Sequence, residues 1–227
     1  MTLIIGARGK RHVALIADGL SVETNDAGSK VKATNLQKLF PIQRQSCVVT
    51  HFGQNELGPV PVSEIINGDR FQRMMTGSWK RGLNHCAAKL IDHLDDSVSQ
   101  TLKGSSHRQD FGIWLTGLWP CTDIPEIVEV YWKRMSAKRV RANIHTLGDL
   151  SIAGDGLRYL KQFLTKPLDK KFSVRKISDE SPAYSMEFVK RLYAEAEKRQ
   201  AEKAATIFGG DAWMALITAD GVDIGKL

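Results

Sequence analysis

Short apolar runs and long helical-period runs occupy separate blocks of this chain, and that order limits the available folds more than any single residue does. Residues 2–7, 12–17, 36–42 and 46–52 are four strand-like runs in the first 53 residues, with Gly9 and Lys10 as a tight turn. The polar, turn-rich residues 23–35 predict a loop between the second and third. From 63 to 102 the period changes: Ile66, Met75, Trp79, Cys86, Leu90, Leu94, Val98 and Leu102 recur at mostly helical spacing. Gly68, Gly77 and Gly82 predict breaks there.

A polar loop is expected at 103–108, strands at 111–118, 127–132 and 144–153, and a helix start at 157–164. Ser181 and Pro182 open a helix over 182–206, with Glu187–Lys190 and Glu195–Arg199 at supporting spacings on its polar face. Residues 212–218 read as a closing strand. Strands, helices, strands, helices and a strand predict an α+β layered fold, a single domain over 1–227, and not alternating βαβ units.

Composition narrows the function classes. A 42% hydrophobic share with 25% charged residues is ordinary globular composition and excludes global disorder. No stretch approaches the ~18 consecutive apolar residues of a membrane span. The first residues place basic side chains between two apolar runs, not ahead of one, so a signal peptide is not expected. Cys47, Cys86 and Cys121 have no close spacing, which argues against a disulfide framework or a zinc ribbon and fits a reducing cytoplasm. The six histidines are scattered, and His85, Asp92 and His93 alone do not make a metal site. The net charge is +7, and its densest cluster, at Lys133, Arg134, Lys138, Arg139 and Arg141, reads as a solvated strand pair and turn before it reads as a nucleic-acid surface.

The chemistry on offer begins at Thr2. Threonine is small enough for removal of the preceding Met1. Thr2 would then carry a hydroxyl nucleophile and a free α-amine, whose pKa of roughly 7.7–8.0 suits it to take the hydroxyl proton near neutral pH. Ala17-Asp18-Gly19, the run Gln37-Lys38-Leu39-Phe40-Pro41-Ile42, and Thr50-His51-Phe52-Gly53 follow in order, and Phe208-Gly209-Gly210 precedes the last predicted strand. This ordered set resembles the proteasome β-subunit and HslV family of N-terminal-nucleophile (Ntn) hydrolases, closely over residues 2–53 and co-linearly to about residue 219.

The resemblance implies a four-layer αββα sandwich and a threonine peptidase working inside stacked homo-oligomeric rings on polypeptide substrates. Its working partner would be an ATPase unfoldase. It implies no metal, no organic cofactor, and no membrane or nucleic-acid partner. Residue by residue, Thr2 matches the nucleophile, Asp18 the aspartate that orients the lysine, Lys38 the electrostatic lysine, and Gly53 the oxyanion-binding N–H. Ser21 and Val22 match positions that hold substrate backbone, and Ser21, His51 and Asn55 fall near the substrate pocket. Lys30 and Lys32 compete with Lys38, whose alignment rests on the KLFPI pattern. Two groups depart from the family pattern. Gly154-Asp155-Gly156-Leu157 replaces a Gly-Ser-Gly followed by serine, and Ala205 and Phe208 stand where an aspartate and a serine are usual; Asp155 and Thr206 are the candidate substitutes. Three other classes stay open: a non-proteolytic Ntn amidohydrolase, a catalytically silent ring scaffold, and a basic nucleic-acid-binding module.

Overall fold

A computed structural model describes residues 2–25, 28–104, 110–120, 122–136, 139–169, 171–203 and 208–227, with backbone only for those of them within 21–32. The chain opens on two strands apolar but for Arg8, β1 (Leu3–Arg8) and β2 (Val13–Ala17), paired antiparallel with Ile5 opposite Ile16. The turn joining them is closed by Gly9 N–H donating to the His12 carbonyl at 2.9 Å. A Cβ on Gly9 would lie 2.2 Å from the His12 ring, so the expected turn requires glycine.

The predicted loop over 23–35 is instead a ribbon of β3 (Ser21–Asn25) and β4 (Gly28–Ala33). Val22, Thr24 and Val31 are β-branched and favour extended backbone, but they are too few among polar neighbours to give an apolar pattern. Next come β5 (Leu39–Pro41), β6 (Cys47–Phe52) and a small ribbon of β7 (Glu56–Leu57) and β8 (Val60–Pro61).

The helical block holds α1 (Val62–Asn67), α2 (Asp69–Ser78), a 3-10 turn (Trp79–Arg81) and α3 (Leu83–Gly104). Gly68 and Gly82 mark breaks as expected. Gly77 does not: it lies inside α2, and a Cβ there would meet nothing within 4 Å.

The second half begins with β9 (Phe111–Leu118), β10 (Pro125–Ser136), β11 (Arg139–Thr146) and β12 (Leu150–Gly154). The strand expected over 144–153 is therefore two strands in different sheets. The chain crosses between them at 147–149, where Leu147 N–H donates to the Ile127 carbonyl (2.8 Å) and Arg8 N–H to the Asp149 carbonyl (2.7 Å). Then follow α4 (Leu157–Leu160), a 3-10 turn (Lys161–Leu164), α5 (Val174–Ile177), α6 (Pro182–Glu202), β13 (Trp213–Thr218) and β14 (Gly221–Lys226). The expected closing strand, β13, is thus not the last. Val222 and Ile224 alternate with polar residues in β14, which pairs with β13 through a tight turn.

Among the described residues the strands form two five-stranded antiparallel sheets, ordered β12-β1-β2-β13-β14 and β11-β10-β9-β6-β5, plus the two ribbons. The fold is mixed α+β. Pleating divides the apolar side chains. Leu3, Ile5, Ala14 and Ile16 of the first sheet pack with Leu160, Phe188, Val189 and Leu192, from α4 and α6. Cys47, Val49, Ile113, Val128 and Val130 of the second pack with Met75, Leu90 and Leu94, from α2 and α3. A third cluster, with Ile4, Leu15, Val48, Trp114, Ile127 and Ala215, draws on strands of both sheets. No helix among the described residues is long and apolar enough to cross a membrane.

The start of α6 is built as its sequence predicts. The Ser181 hydroxyl accepts from Tyr184 N–H at 3.3 Å, and Pro182 occupies the first turn. Glu195 pairs with Arg199 at 2.6 Å, whereas Glu187 pairs with Arg191 (2.9 Å), one residue beyond the expected Lys190. Ser181→Ala removes the cap acceptor and is expected to cost about 1 kcal/mol, read as a lower urea midpoint at unchanged slope.

Candidate active site

Asp18 continues the line of β2 and is bonded twice to Leu3. Its N–H donates to the Leu3 carbonyl at 3.1 Å, and its Oδ1 accepts from Leu3 N–H at 3.0 Å. The β1–β2 register thereby carries the carboxylate to the start of β1, beside Thr2. Lys38 arrives from the segment just before β5. Its Nζ donates to Thr2 Oγ1 (3.0 Å), Asp18 Oδ1 (3.2 Å) and the Leu20 carbonyl (2.7 Å). Three acceptors match the three protons of an ammonium group. Thr2, Asp18 and Lys38 are each 1% exposed or less. The structure thus brings Thr2, Asp18 and Lys38, three of the residues singled out from sequence, into contact. Lys30 and Lys32, the competing lysines, have side chains outside the described residues.

Burial dominates the electrostatics of this set. It pushes the Asp18 carboxyl up, against the Lys38 charge and the N–H groups of Leu3 and Gly209, which hold it down. It pushes the Lys38 amine down, against the opposing pull of Asp18. The hydrogen-bond geometry fits the ionic pair, and desolvation narrows the gap between that pair and its neutral form. A cation in a water-poor site, 3.0 Å from a hydroxyl oxygen, stabilises negative charge developing on that oxygen.

Backbone groups complete the set. Gly209 N–H donates to Asp18 Oδ2 at 3.2 Å. Gly156 N–H donates to the Thr2 carbonyl at 3.4 Å, and a Cβ on Gly154 (φ +82°) would lie 2.1 Å from that same oxygen. The turn at 154–156 thus fixes the Thr2 backbone. Asp155, a candidate auxiliary group, turns away: its carboxylate faces Arg158 at 3.8 Å on the surface. Phe208 is buried against α6, and Ala205 and Thr206 lie outside the described residues.

Gly53 follows β6 at φ +90°, and a Cβ there would lie 2.1 Å from the Asp110 carbonyl oxygen, so close backbone approach excludes any side chain. No hydrogen bond among the described residues joins Gly53 to Thr2, Asp18 or Lys38. Asp110 is in turn held by the Tyr131 hydroxyl, and the Tyr131 ring stacks on Phe52 at 6.1 Å.

His51 is 4% exposed, between the rings of Phe40 (6.2 Å) and Phe111 (6.3 Å). Burial first, and the Lys38 charge second, lower its pKa to about 3. Asn55 lies in the turn after β6, where its carbonyl accepts from Val62 N–H at 2.8 Å. Ser21 and Val22 begin β3 directly after Leu20, but their side chains lie outside the described residues.

Two groups were not singled out from sequence: the Leu20 carbonyl, which accepts from Lys38, and Gln200, which holds Phe208. Phe208-Gly209-Gly210 was singled out as a motif but not as the donor to Asp18; both glycines take positive φ (+136° and +70°). Elsewhere, Asp92 pairs with Lys89 at 3.1 Å, and no group of three His, Cys, Asp or Glu among the described residues is arranged to hold a metal ion. The basic stretch is a strand pair, with Lys133 opposite Arg141. Compared with known proteins, the chain matches no protein-family model and no curated protein.

Proposed function

We propose that this chain is a threonine-type peptidase subunit of a proteasome-like ring, built as a four-layer αββα Ntn-hydrolase sandwich. The observation that carries the reading is the buried Lys38 Nζ, held between Thr2 Oγ1 at 3.0 Å and Asp18 Oδ1 at 3.2 Å. The fold assignment is supported by two five-stranded antiparallel sheets that share one apolar cluster, with α2–α3 packed on one and α6 on the other. The subunit works in the cytoplasm, with an ATPase unfoldase feeding its chamber.

Removal of Met1 frees the Thr2 amine. The Thr2 hydroxyl oxygen attacks a peptide carbonyl and its proton passes to that amine. Lys38 stabilises the oxygen as its charge develops, Asp18 holds Lys38 in place, and the Gly53 N–H faces the carbonyl oxygen as it becomes an oxyanion. Collapse expels the amine half of the substrate, which takes the proton from the Thr2 amine and leaves an ester on Oγ1. Water, deprotonated by the same amine, then hydrolyses the ester.

A catalytically silent ring scaffold is the second reading, favoured by the turn of Asp155 toward Arg158. Protein from the native host should begin at Thr2 by intact mass and form one covalent adduct with a peptide epoxyketone, a reagent that needs both hydroxyl and amine. Thr2→Ala should abolish the adduct. Complete retention of Met1 would sink the nucleophile reading, and processed protein that takes no label is the scaffold. Native mass spectrometry should find a ring; a monomer contradicts the assembly.

A further inference from the structure

Helix α6 carries buried polar side chains in its largely apolar contact with the first sheet; near its start Ser185 Oγ lies 2.8 Å from His12 Nε2. Farther along, Tyr193 and Gln200 recur at i and i+7 and are buried on one face, with Glu197 exposed at its margin. Gln200, 9% exposed, makes both hydrogen bonds that a neighbouring strand would make. Its Nε2 donates to the Phe208 carbonyl at 2.9 Å, and its Oε1 accepts from Phe208 N–H at 3.0 Å. The Phe208 ring is fixed against Tyr159 and Tyr193, each at 6.0 Å. The peptide held this way leads directly into Gly209, whose N–H is given to Asp18 Oδ2. Oδ1 is already engaged by Leu3 N–H and Lys38 Nζ, so the second carboxylate oxygen relies on the donor that Gln200 aims.

We propose that Gln200 is a positioning residue for the Thr2–Asp18–Lys38 set: by clamping Phe208 it holds the Gly209 N–H on Asp18, which keeps Asp18 ionised and Lys38 an ammonium beside the Thr2 hydroxyl. The catalytic consequence rests on the reading of Thr2 as nucleophile; the clamp itself does not.

A buried carboxylate that loses an N–H donor binds its proton more tightly. The pair then shifts toward neutral carboxylic acid and neutral amine. Thr2 loses the cation facing its hydroxyl, and the freed Thr2 amine, no longer beside a positive charge, becomes a stronger base. The first change slows the reaction, and the second moves its acid limb to higher pH. The other groups near the pair are the Thr2 hydroxyl from the start of β1, Tyr193 from α6, which in turn meets Glu197, and His51 from β6. Burial keeps the His51 ring neutral down to a pH of about 3. Burial, with the charges of Asp18 and Glu197, pushes the Tyr193 phenol up, and burial pushes the Glu197 carboxyl up. Glu197 is therefore the remaining acid on that face, and Glu197→Gln controls for its titration.

The test uses assembled protein lacking Met1, with Gln200→Met, which keeps length and removes both hydrogen bonds. Gln200→Glu keeps one of them and serves where the methionine variant does not fold. Epoxyketone labelling of Thr2 is followed against pH, and amide exchange at Gly209 by mass spectrometry with fragmentation. Labelling at neutral pH is expected to slow about tenfold, with the acid limb raised by about half a pH unit or more. Exchange at Gly209 is expected to quicken about tenfold or more. A variant with a lower melting temperature but an unmoved pH profile and unmoved Gly209 exchange overturns the proposal. Wild-type protein that takes no label refutes the threonine reading alone, and Gly209 exchange then decides the clamp by itself: faster exchange supports it, unchanged exchange overturns it.

Discussion

Lys38→Met is expected to remove Thr2 reactivity and to strip a buried carboxylate of its charge partner in one step. Lys38 is bonded to the Thr2 hydroxyl, to Asp18 and to the Leu20 carbonyl, and it is 1% exposed. Methionine is unbranched and one heavy atom shorter, and it offers none of these bonds. Loss of a preorganised group facing developing charge lowers labelling by about a factor of 10²–10³. Breaking a buried pair by removing one partner costs about 3–5 kcal/mol, because the other charge stays desolvated. The two effects separate in the double variant Lys38→Met with Asp18→Asn, which has no buried charge left at the site. Its urea midpoint should return most of the way to wild type while Thr2 stays unreactive. A single variant that labels at the wild-type rate would remove Lys38 from the mechanism, and one of wild-type stability would show that Asp18 is not held ionised by it.

Acidification is expected to unfold the protein through His51. The folded state lowers its pKa from 6.5 to about 3, by burial first and by the Lys38 charge second. Between those values the unfolded chain binds a proton at this ring that the native chain does not. Stability therefore rises with pH through that window and is lost as pH falls from about 6.5 toward 3, by roughly 4–5 kcal/mol in all. His12 acts in the same direction, since burial lowers its pKa as well. Asp18 acts in the opposite direction above 3.8, because its raised proton affinity favours the native state on protonation. Urea midpoints measured from pH 7 to pH 3.5 should fall steeply for wild type and much less for His51→Phe, which keeps a ring between Phe40 and Phe111. Identical slopes in the two proteins would assign the acid transition elsewhere.

How much of this arrangement could be read from sequence depended on how each segment meets water. Runs such as 3–7 and 111–118 are buried along their whole length, and their apolar content marked them directly. The β3–β4 ribbon carries mostly polar residues, so it read as a loop. The same holds for β14, where Val222 and Ile224 are the only large apolar side chains before the final leucine. The break between β11 and β12 was missed because a change of sheet leaves no mark in an apolar tally. It depends on backbone bonds from distant strands at Ile127 and Arg8.

At the site, Thr2, Asp18 and Lys38 were legible because each is a distinctive residue at a fixed offset from a strand end. His51 was legible as a position but not as a buried neutral ring, since its state depends on Phe40, Phe111 and Lys38 together. Gln200 gave no signal. A glutamine near the end of a charged helix reads as solvated, and only the chain's return at Phe208 gives its amide a peptide to hold.

The bond from Gly209 to Asp18 joins positions 191 residues apart, and β13, which pairs with the outer edge of β2, follows directly after it. During synthesis Thr2, Asp18 and Lys38 are made well before the donor for Asp18 and the strand that covers β2, which come 191 residues after Asp18 and later. The carboxylate cannot be fully satisfied, nor the first sheet closed on that side, while most of the chain is still emerging. Assembly of the buried charge set is thus a report that synthesis has passed β13.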